Sequence, residues 1–590
     1  MSTRIQPTRW LSAATAAGVA ILGACLVFRH LHATSAAPVA RAHYIVEGAT
    51  ADQARSAVLK AGGAVTGLLP IIHAVGASLT AEQAAYLRHS SGAKLHVFAD
   101  WSVKASSFTG LPETYYPAEL EASELQAGGI TGAGVTVAVL DSGLWSQEGP
   151  DQTTPGGASR VLAQYDMIQA DQNPAYATAA ATARYGTPID DLYGHGTHVS
   201  SIISSAGIST DGNYQGVAPG VNLVEVRVLN STGQGSYFDV IRGIQWVIAN
   251  RLRYHIRVIN LSLGAPPRSP YWEDPLDQAV MAAWANGIVV VAAAGNRGPG
   301  PMTIDVPGNC PYVITVGAVT DNFSPGQIAK YSLASFSSAG PTTEGFVKPE
   351  VVSMGGHMLA YAPNDSTLAK EFPSWVGPDD EFTMSGTSQA TATVSGVVAL
   401  MLQVSPSLTP DQVKCRLMSG AHPAVNSDGT LAYTVFQQGA GLVDAHDAIY
   451  GTASNCANQG LNVWLDLSGL QHYGGRGNRE SNGDYYIMAT TQGGSSGGGL
   501  LGGLFNLVGG VVNALGKLLF GVPLLGDGLL WNGSYTAGSG YAWSDGYAWS
   551  DGYAWSDGYA WSDGYAWSDT YGSGYAWSDA YTGINTPPQQ

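Results

Sequence analysis

Charged residues are scarce in this sequence. They make up only 12% of the 590 residues, about half the usual share, and Lys and Arg form no run. A chain so poor in charge is not typical of a disordered, charge-rich protein. The formal net charge of −18 and the lack of a basic block also argue against nucleic acid as a partner.

Cysteine is scarce as well. The four cysteines, Cys25, Cys310, Cys415 and Cys456, are too few for a disulfide scaffold. In an oxidising compartment Cys415 and Cys456 can form a bridge. Unpaired buried thiols are the alternative, and the sequence does not decide between the two.

Long apolar runs are rare too, and the clearest one lies near the N-terminus. Arg4 and Arg9 precede an apolar stretch over residues 10–28, and small residues follow it. This pattern predicts that residues 1–41 are a signal peptide or an N-terminal membrane anchor. Both stay open, because the apolar run is long for a signal peptide and short for a membrane-spanning helix. We therefore expect a secreted, extracellular protein, anchored to the cell envelope if the segment is not cleaved.

Two folded units are predicted after this segment. Residues 42–105 show the order β-α-β-β-α-β, the split βαβ pattern of a small α+β unit. Residues 118–452 contain short Val- and Ile-rich runs separated by helical patterns. Apolar strands that alternate with helices predict an α/β domain with a mostly parallel, buried sheet flanked by helices.

The rest of the chain is of low complexity. Residues 453–535 are rich in Gly and Leu and are predicted to be a linker segment. Residues 536–590 form a tail that repeats Gly-Tyr-Ala-Trp-Ser-Asp. Because the period of six is even, an extended tail would keep Tyr and Trp on one face. Stacked hairpins, an aromatic surface and disorder all stay open, with the cell surface, glycan or membrane as candidate tail partners.

Four polar side chains lie at positions where a parallel sheet flanked by helices commonly forms a binding or active site. Asp141 ends an apolar run, and the carboxyl ends of parallel strands form the binding edge. His195 lies between two glycines, and Ser388 opens a long predicted helix, whose free N–H groups can stabilise an oxyanion. Asn296 follows another apolar run in a Gly-rich loop and offers an amide donor. Taken singly, each has an ordinary structural explanation such as a helix cap.

A second histidine raises the alternative of a metal centre. His198 lies three residues after His195, a spacing that two ligands on one helix can have. The local sequence offers no third ligand, so we predict no metal site here.

Together, these motifs resemble the signature blocks of subtilisin-like serine proteases. The blocks are Val137-Ala-Val-Leu-Asp141-Ser-Gly, Gly194-His-Gly-Thr-His-Val199, Val291-Ala-Ala-Ala-Gly-Asn296 and Ser385-Gly-Thr-Ser-Gln-Ala390, in the chain order Asp, His, Ser of that family. The resemblance covers residues 118–450. It implies a serine endopeptidase in which Ser388 is the nucleophile, His195 the general base, Asp141 its partner and Asn296 an oxyanion-hole donor.

The same resemblance implies a cleft for an extended polypeptide substrate. Segments 231–235 and 262–265 are expected to be edge strands that bind the substrate by strand addition. The implied substrate-binding residues are Ser231, Gly233, Gly235, Ser262, Leu263, Gly264, Ala293, Gly295 and Asp305. Because Asp305 aligns near the primary specificity pocket, we expect a preference for Arg or Lys before the scissile bond.

Residues 42–105 resemble the inhibitory prodomain of the same family. The resemblance implies an intramolecular inhibitor and folding chaperone that is cut off autocatalytically, with the cut within residues 105–121. No cofactor is required, and calcium is left as an optional structural ion because the calcium sites of the family do not map cleanly onto this chain. The chain departs from the family pattern behind the nucleophile, at Gln389, Ala392 and Thr393.

Two other classes of function stay open. A non-catalytic surface or adhesion protein could use the same fold as a scaffold and the repeats for binding. A hydrolase of the same fold could act on non-peptide esters. The intact set of four polar positions argues against the first class, and the prodomain and cleft strands favour peptides over esters.

Overall fold

The computed structural model describes residues 40–89, 95–105, 115–145, 159–168, 190–209, 212–378, 380–427, 431–479, 485–487 and 529–530. The predicted signal or anchor segment, most of the Gly/Leu-rich segment and the repeat tail lie outside these residues, so the predictions for them stay predictions. Among the helices that are described, none has the length and apolar character needed to cross a membrane.

The helices and strands are numbered here in chain order. The strands are β1 Ala42–Glu47, β2 Ala64–Leu69, β3 Ala74–Leu79, β4 His96–Ala99, β5 Ser102–Ala105, β6 Thr136–Asp141, β7 Val161–Asp166, β8 Asn222–Arg227, β9 Gln234–Ser236, β10 Ile256–Leu261, β11 Leu263–Gly264, β12 Val289–Ala293, β13 Ile314–Thr320, β14 Ser332–Leu333, β15 Val351–Met354, β16 Met358–Tyr361, β17 Glu381–Met384, β18 Tyr473–Gly474, β19 Gly477–Arg479, β20 Tyr485–Ile487 and β21 Leu529–Leu530. The helices are α1 Ala51–Lys60, α2 Ala81–Arg88, α3 Tyr116–Glu119, α4 Ala122–Ala127, α5 His195–Ser204, α6 Tyr237–Tyr254, α7 Pro275–Ala285, α8 Thr367–Glu371, α9 Thr387–Val404, α10 Pro410–Ser419, α11 Val435–Gln438, α12 Ala445–Tyr450 and α13 Val463–Leu467.

The N-terminal unit is an antiparallel sheet with two helices that share its own small core. The strand order is β2-β3-β1-β4. Threonines start both helices: the side chains of Thr50 and Thr80 accept hydrogen bonds from the N–H groups of Gln53 and Gln83, which satisfies donors that a helix N-terminus leaves free. The predicted split βαβ unit is confirmed.

The large sheet has the order β14-β13-β12-β10-β6-β8-β7, and β15 also pairs with β13. All neighbours in this sheet are parallel except β14, which runs antiparallel to β13. The central strands are buried on both faces, which is why they read as unbroken apolar runs. The prediction of a mostly parallel, buried sheet is confirmed.

Two groups of helices cover this sheet. Helix α9 packs on β10, β12, β13 and β15 and against α5, while α6 and α7 pack against each other and on the sheet. The small residues of α9 allow a close approach: a Cβ at Gly396 would lie 2.6 Å from the Cβ of Val217, closer than real Cβ contacts come. Helix α9 is therefore held with its first turn at the sheet edge.

The folded part extends further along the chain than predicted. Asp466 is buried and accepts hydrogen bonds from the hydroxyls of Tyr271, at 2.7 Å, and Tyr312, at 3.0 Å. These bonds tie α13 to the large α/β domain, although α13 lies within residues 453–535, which the sequence predicts to be a linker segment. Cys415 and Cys456 form a disulfide, which decides between the alternatives left open by the sequence.

The N-terminal sheet docks on the first turn of α6. The ring of Phe238 lies so close to Gly67 and Gly76 that a Cβ at either glycine would approach it to 2.5 Å or less. The carboxylate of Asp100 accepts a hydrogen bond from the Phe238 N–H at 2.9 Å, and a negative charge is favourable at a helix N-terminus. The chain then enters β5.

Candidate active site

Asp141 and His195 meet at the carboxyl edge of the sheet. Asp141 is the last residue of β6 and His195 the first of α5. The imidazole Nδ1 lies 2.8 Å from Oδ1 and 3.0 Å from Oδ2 of the carboxylate, and both side chains are buried. A carboxylate can only accept, so Nδ1 is assigned the proton and Nε2 is left with a lone pair.

A second carboxylate holds the loop that carries His195. Asp191 accepts hydrogen bonds from the N–H of Gly194 and from both the N–H and the hydroxyl of Thr197, each at 2.8 Å. Burial raises the pKa of Asp191, and these hydrogen bonds oppose that rise. Sequence reasoning assigned Asp191 no role, because an acid four residues before a histidine is a weak signal.

Ser388 lies in the first turn of α9, as predicted. Its hydroxyl donates to the carbonyl of Ser262 at 3.0 Å, and the Ser262 hydroxyl donates to the Ser388 carbonyl at 2.8 Å. Behind this pair, Asn260 donates to the Ser262 hydroxyl and accepts from Ser395. This buried chain of hydrogen bonds joins the end of β10 to α9 and fixes Ser388 beside the predicted cleft.

The side-chain amide of Asn296 is oriented by Thr387. Its oxygen accepts from the Thr387 N–H at 3.0 Å and from the Thr387 hydroxyl at 2.8 Å. The amide Nδ2 is buried and, among the described residues, has no hydrogen-bond partner, and the same holds for Nε2 of His195. Buried polar groups normally are bonded, so each of these two atoms is available to pair with a group that enters the site.

His198 serves the fold rather than a metal centre. It is buried, and its Nε2 lies 3.2 Å from the carbonyl of Met358 and 3.0 Å from that of Phe382. Burial lowers the pKa of His198 to about 3, so the imidazole is neutral and donates to these carbonyls. It ties α5 to the hairpin of β16 and β17.

The chain's own strand β5 lies between the two predicted cleft segments. It pairs antiparallel with β9 on one side and with β11 on the other. The register pairs are Ser102–Ser236, Val103–Gly235, Lys104–Gln234, Lys104–Gly264 and Ala105–Leu263. Of the predicted substrate-binding residues, Gly235, Leu263 and Gly264 are thus paired with an extended peptide, while Ser262 precedes β11 and Gly233 precedes β9.

Asp305 lies between two other predicted cleft residues. A Cβ at Gly264 would be 2.8 Å from the Asp305 Cβ, and one at Gly295 would be 2.3 Å from its Oδ2. Ala293 ends β12 two residues before Gly295. Arg297 donates to Oδ1 of Asp305 through Nε at 2.9 Å and Nη2 at 2.6 Å. The expected preference for Arg or Lys needs a carboxylate that can pair with the substrate, and Oδ1 of Asp305 is already paired with Arg297, which argues against such a preference.

The ion pair leads to a prediction about the residue before the scissile bond. We expect the wild-type protein to show no preference for Arg or Lys there, and Arg297→Ala to raise the ratio of basic to neutral peptide cleavage by about tenfold, or ~1.4 kcal/mol. The measurement is kcat/KM on two peptides that differ only at this residue. Lys330→Ala, which removes an exposed cation of another loop, is the control. An unchanged ratio in Arg297→Ala would show that Asp305 does not face the substrate.

Two groups of described residues could hold a metal ion. They are Glu121, Asp444 and His446, and His422, Asp444 and Asp447. Calcium prefers oxygen ligands, so the imidazoles in both groups do not suit it. The expectation of an optional calcium ion stays a prediction.

A buried His–Asp pair, a serine in the first turn of a helix and a buried side-chain amide are the kinds of groups that serine hydrolases use. The sequence profile of the subtilase family matches residues 132–441. The chain therefore belongs to the subtilase family, and it is a subtilisin-like serine endopeptidase.

Known proteins resemble the chain over this domain. Serine protease AprX of Bacillus subtilis is 38% identical over 327 residues, which cover 55% of this chain and 67% of that protein. Subtilisin DY of Bacillus licheniformis is 34% identical over 331 residues, covering 56% and 96% respectively. The crystal structure of fervidolysin from Fervidobacterium pennivorans, a keratinolytic enzyme related to subtilisin, has a TM-score of 0.52 at 22% identity, covering 71% of this chain and 62% of that one. The last similarity concerns the fold alone.

Proposed function

We propose that this protein is a secreted endopeptidase, made as a preproprotein, that hydrolyses peptide bonds through Ser388, His195 and Asp141. The observation that carries the proposal is that two buried side-chain nitrogens, the acceptor His195 Nε2 and the donor Asn296 Nδ2, have no hydrogen-bond partner among the described residues, while Ser388 lies in the first turn of a helix. The oxygen of a substrate carbonyl would accept a hydrogen bond from Asn296 Nδ2, and the Ser388 hydroxyl would donate to His195 Nε2.

In the proposed mechanism the Ser388 hydroxyl turns from the carbonyl of Ser262 to His195. Nε2 takes the hydroxyl proton while Oγ attacks the peptide carbonyl, and Asp141 stabilises the imidazolium that forms. The imidazolium then protonates the leaving amine, which departs and leaves an acyl-enzyme. Water, deprotonated by the same imidazole, releases the acyl group and restores Ser388.

The oxyanion formed in each step needs donors that are already in place. Asn296 Nδ2 is one, since its amide cannot turn without breaking two bonds to Thr387. The backbone N–H of Ser388 is the other, because N–H groups of the first helical turn have no partner within the helix. Both donors lie on elements tied together by Thr387, so little reorganisation is needed when charge develops.

Strand β5 supports the proposal that residues 42–105 inhibit the uncut chain. A peptide bound between β9 and β11 in antiparallel register occupies the place that a substrate would take by strand addition. As β5 advances from Lys104 to Ala105, its partners step back from Gly264 to Leu263, so this register runs toward Ser262, the residue before Leu263. Since Ser262 is bonded to Ser388, we infer that the scissile bond follows residue 106.

Self-processing tests this inference. Purified full-length chain should convert to a form whose N-terminal residue is Ser107, as intact mass and N-terminal sequencing would show. Mixing labelled Ser388→Ala chain with the active protein distinguishes cutting within one chain from cutting between chains. A new N-terminus elsewhere in residues 107–121 would contradict the register argument but leave a processed zymogen. A chain that neither processes itself nor reacts with a fluorophosphonate would contradict the proposed function.

A further inference from the structure

The segment between β15 and α9 forms a separate wall beside the cleft. It contains the hairpin of β16 and β17 and the short helix α8. Its apolar side chains make a small core of their own, which Tyr193 joins from the His195 loop. The core residues are Ala362, Leu368, Ala369, Phe382 and Met384. We call residues 355–386 the wall segment.

The wall segment holds the backbone on both sides of Tyr193. The Thr367 N–H donates to the carbonyl of Leu192 at 2.9 Å, and the Leu368 N–H donates to that of Tyr193 at 3.2 Å. Next along the chain, Gly194 has φ +100 and packs on Ser366, whose Oγ would be 2.7 Å from a Cβ there. The loop just before His195 is therefore anchored and not free to swing away from the cleft.

The ring of Tyr193 lies between the His195 imidazole and Gly233, the residue before the cleft strand β9. A Cβ at Gly233 would lie 2.4 Å from two of its ring carbons, and its centroid is 6.4 Å from that of the His195 imidazole. Thr367 also donates to the carbonyl of Ser231 at 2.8 Å, which ties this strand to the wall segment. Burial raises the pKa of Tyr193 to about 12, with nearby Asp141 adding to the rise, so the ring presents a neutral surface.

The register of β5 shows which substrate position this ring adjoins. Lys104 lies opposite Gln234, and continuing that register by one residue would bring Ala105 opposite Gly233. On the other side, Ala105 lies opposite Leu263. With the scissile bond after residue 106, position 105 is the second residue before that bond. The chain itself carries the small residue alanine there.

We propose that Tyr193, anchored by the wall segment, limits the second residue before the scissile bond to small side chains such as Gly and Ala. The inference rests on the proposed function, since it concerns substrates of that same site. The ring already occupies the space between Gly233 and His195, and an interior that is filled tolerates added volume poorly. A large side chain at this position would have to displace a ring whose backbone is held by two hydrogen bonds from the wall segment.

Two peptides that differ only at this second position, Ala in one and Phe in the other, test the proposal. We expect the processed wild-type enzyme to favour the Ala peptide by about 10- to 100-fold in kcat/KM, the range that a clash of this size costs. In Tyr193→Ala the kcat/KM values for the Ala peptide and the Phe peptide should come within about threefold of each other, as expected of a site that does not discriminate between them. The matched control is Leu192→Ala, which removes a half-exposed neighbour and should keep the selectivity.

Self-processing gives a second readout that needs no added substrate. Ala105→Phe should slow the cut after residue 106, and Tyr193→Ala in the same chain should restore its rate. Equal processing of wild type and Ala105→Phe, or selectivity unchanged in Tyr193→Ala, would overturn the role of Tyr193 while hydrolysis persists. If no peptide is cut and no processing occurs, the proposed function fails instead, so the two failures are distinguishable.

Discussion

Ser388→Ala should lower kcat for peptide hydrolysis by about a millionfold, the size of the loss known for removing the nucleophile of a subtilisin. The variant should still fold, because it loses only the hydrogen bond to the Ser262 carbonyl, worth ~1 kcal/mol. Fluorophosphonate labelling and the cut after residue 106 should vanish together. The measurement is single-turnover hydrolysis alongside a thermal melt.

A serine outside the site gives the control for this experiment. Ser419→Ala removes a hydroxyl that donates to the Arg416 carbonyl of its own helix α10, and it should leave kcat and labelling at the wild-type level. Labelling that persists in Ser388→Ala would place the nucleophile elsewhere and refute the assignment of the triad.

Asn296→Ala should lower kcat by about 10²–10³-fold with little change in KM. The reason is that Nδ2 has no partner among the described residues before reaction, so its hydrogen bond is made only when the oxyanion forms. An interaction made only in the transition state affects kcat and not ground-state binding. Steady-state kinetics on a single peptide separate the two constants.

Asn250→Ala is the matched control for the amide. Asn250 donates to a carbonyl of its own helix α6, so its loss should not alter kcat. A rise in KM with kcat unchanged in Asn296→Ala would mean that the amide binds the ground state, which contradicts its assignment to the oxyanion.

The sheet and the chemical groups at its edge could be predicted because both follow from local sequence. Strands such as β12 and β13 are buried on both faces, which makes them continuous apolar runs. The residues that end or follow such strands, among them Asp141 and Asn296, must lie at the carboxyl edge of a parallel sheet. Fold class and candidate site therefore came from the same pattern.

The rest depends on contacts between segments distant in sequence. Arg297 and Asp305 pair across a loop whose path no periodicity reveals. Asp466 joins the catalytic domain through two tyrosines more than 150 positions earlier. The position of Tyr193 depends on contacts with the distant wall segment, including the bonds from Thr367 and Leu368 to its loop. Such side-chain positions depend on tertiary contacts, so they cannot be predicted from a single sequence motif.

The position of β5 has a consequence for when the enzyme would act. While residues 102–105 are part of the same chain, they face the cleft at an effective concentration on the order of millimolar, which dilution cannot lower. Once the bond after residue 106 is cut, the same peptide becomes a separate molecule, and its occupancy falls as the surrounding volume grows. Under the proposed function, the volume around the cleaved enzyme would therefore control its activity. In a small compartment the separated peptide stays concentrated enough to keep the cleft occupied, and on release into a large volume it dissociates and the enzyme becomes active.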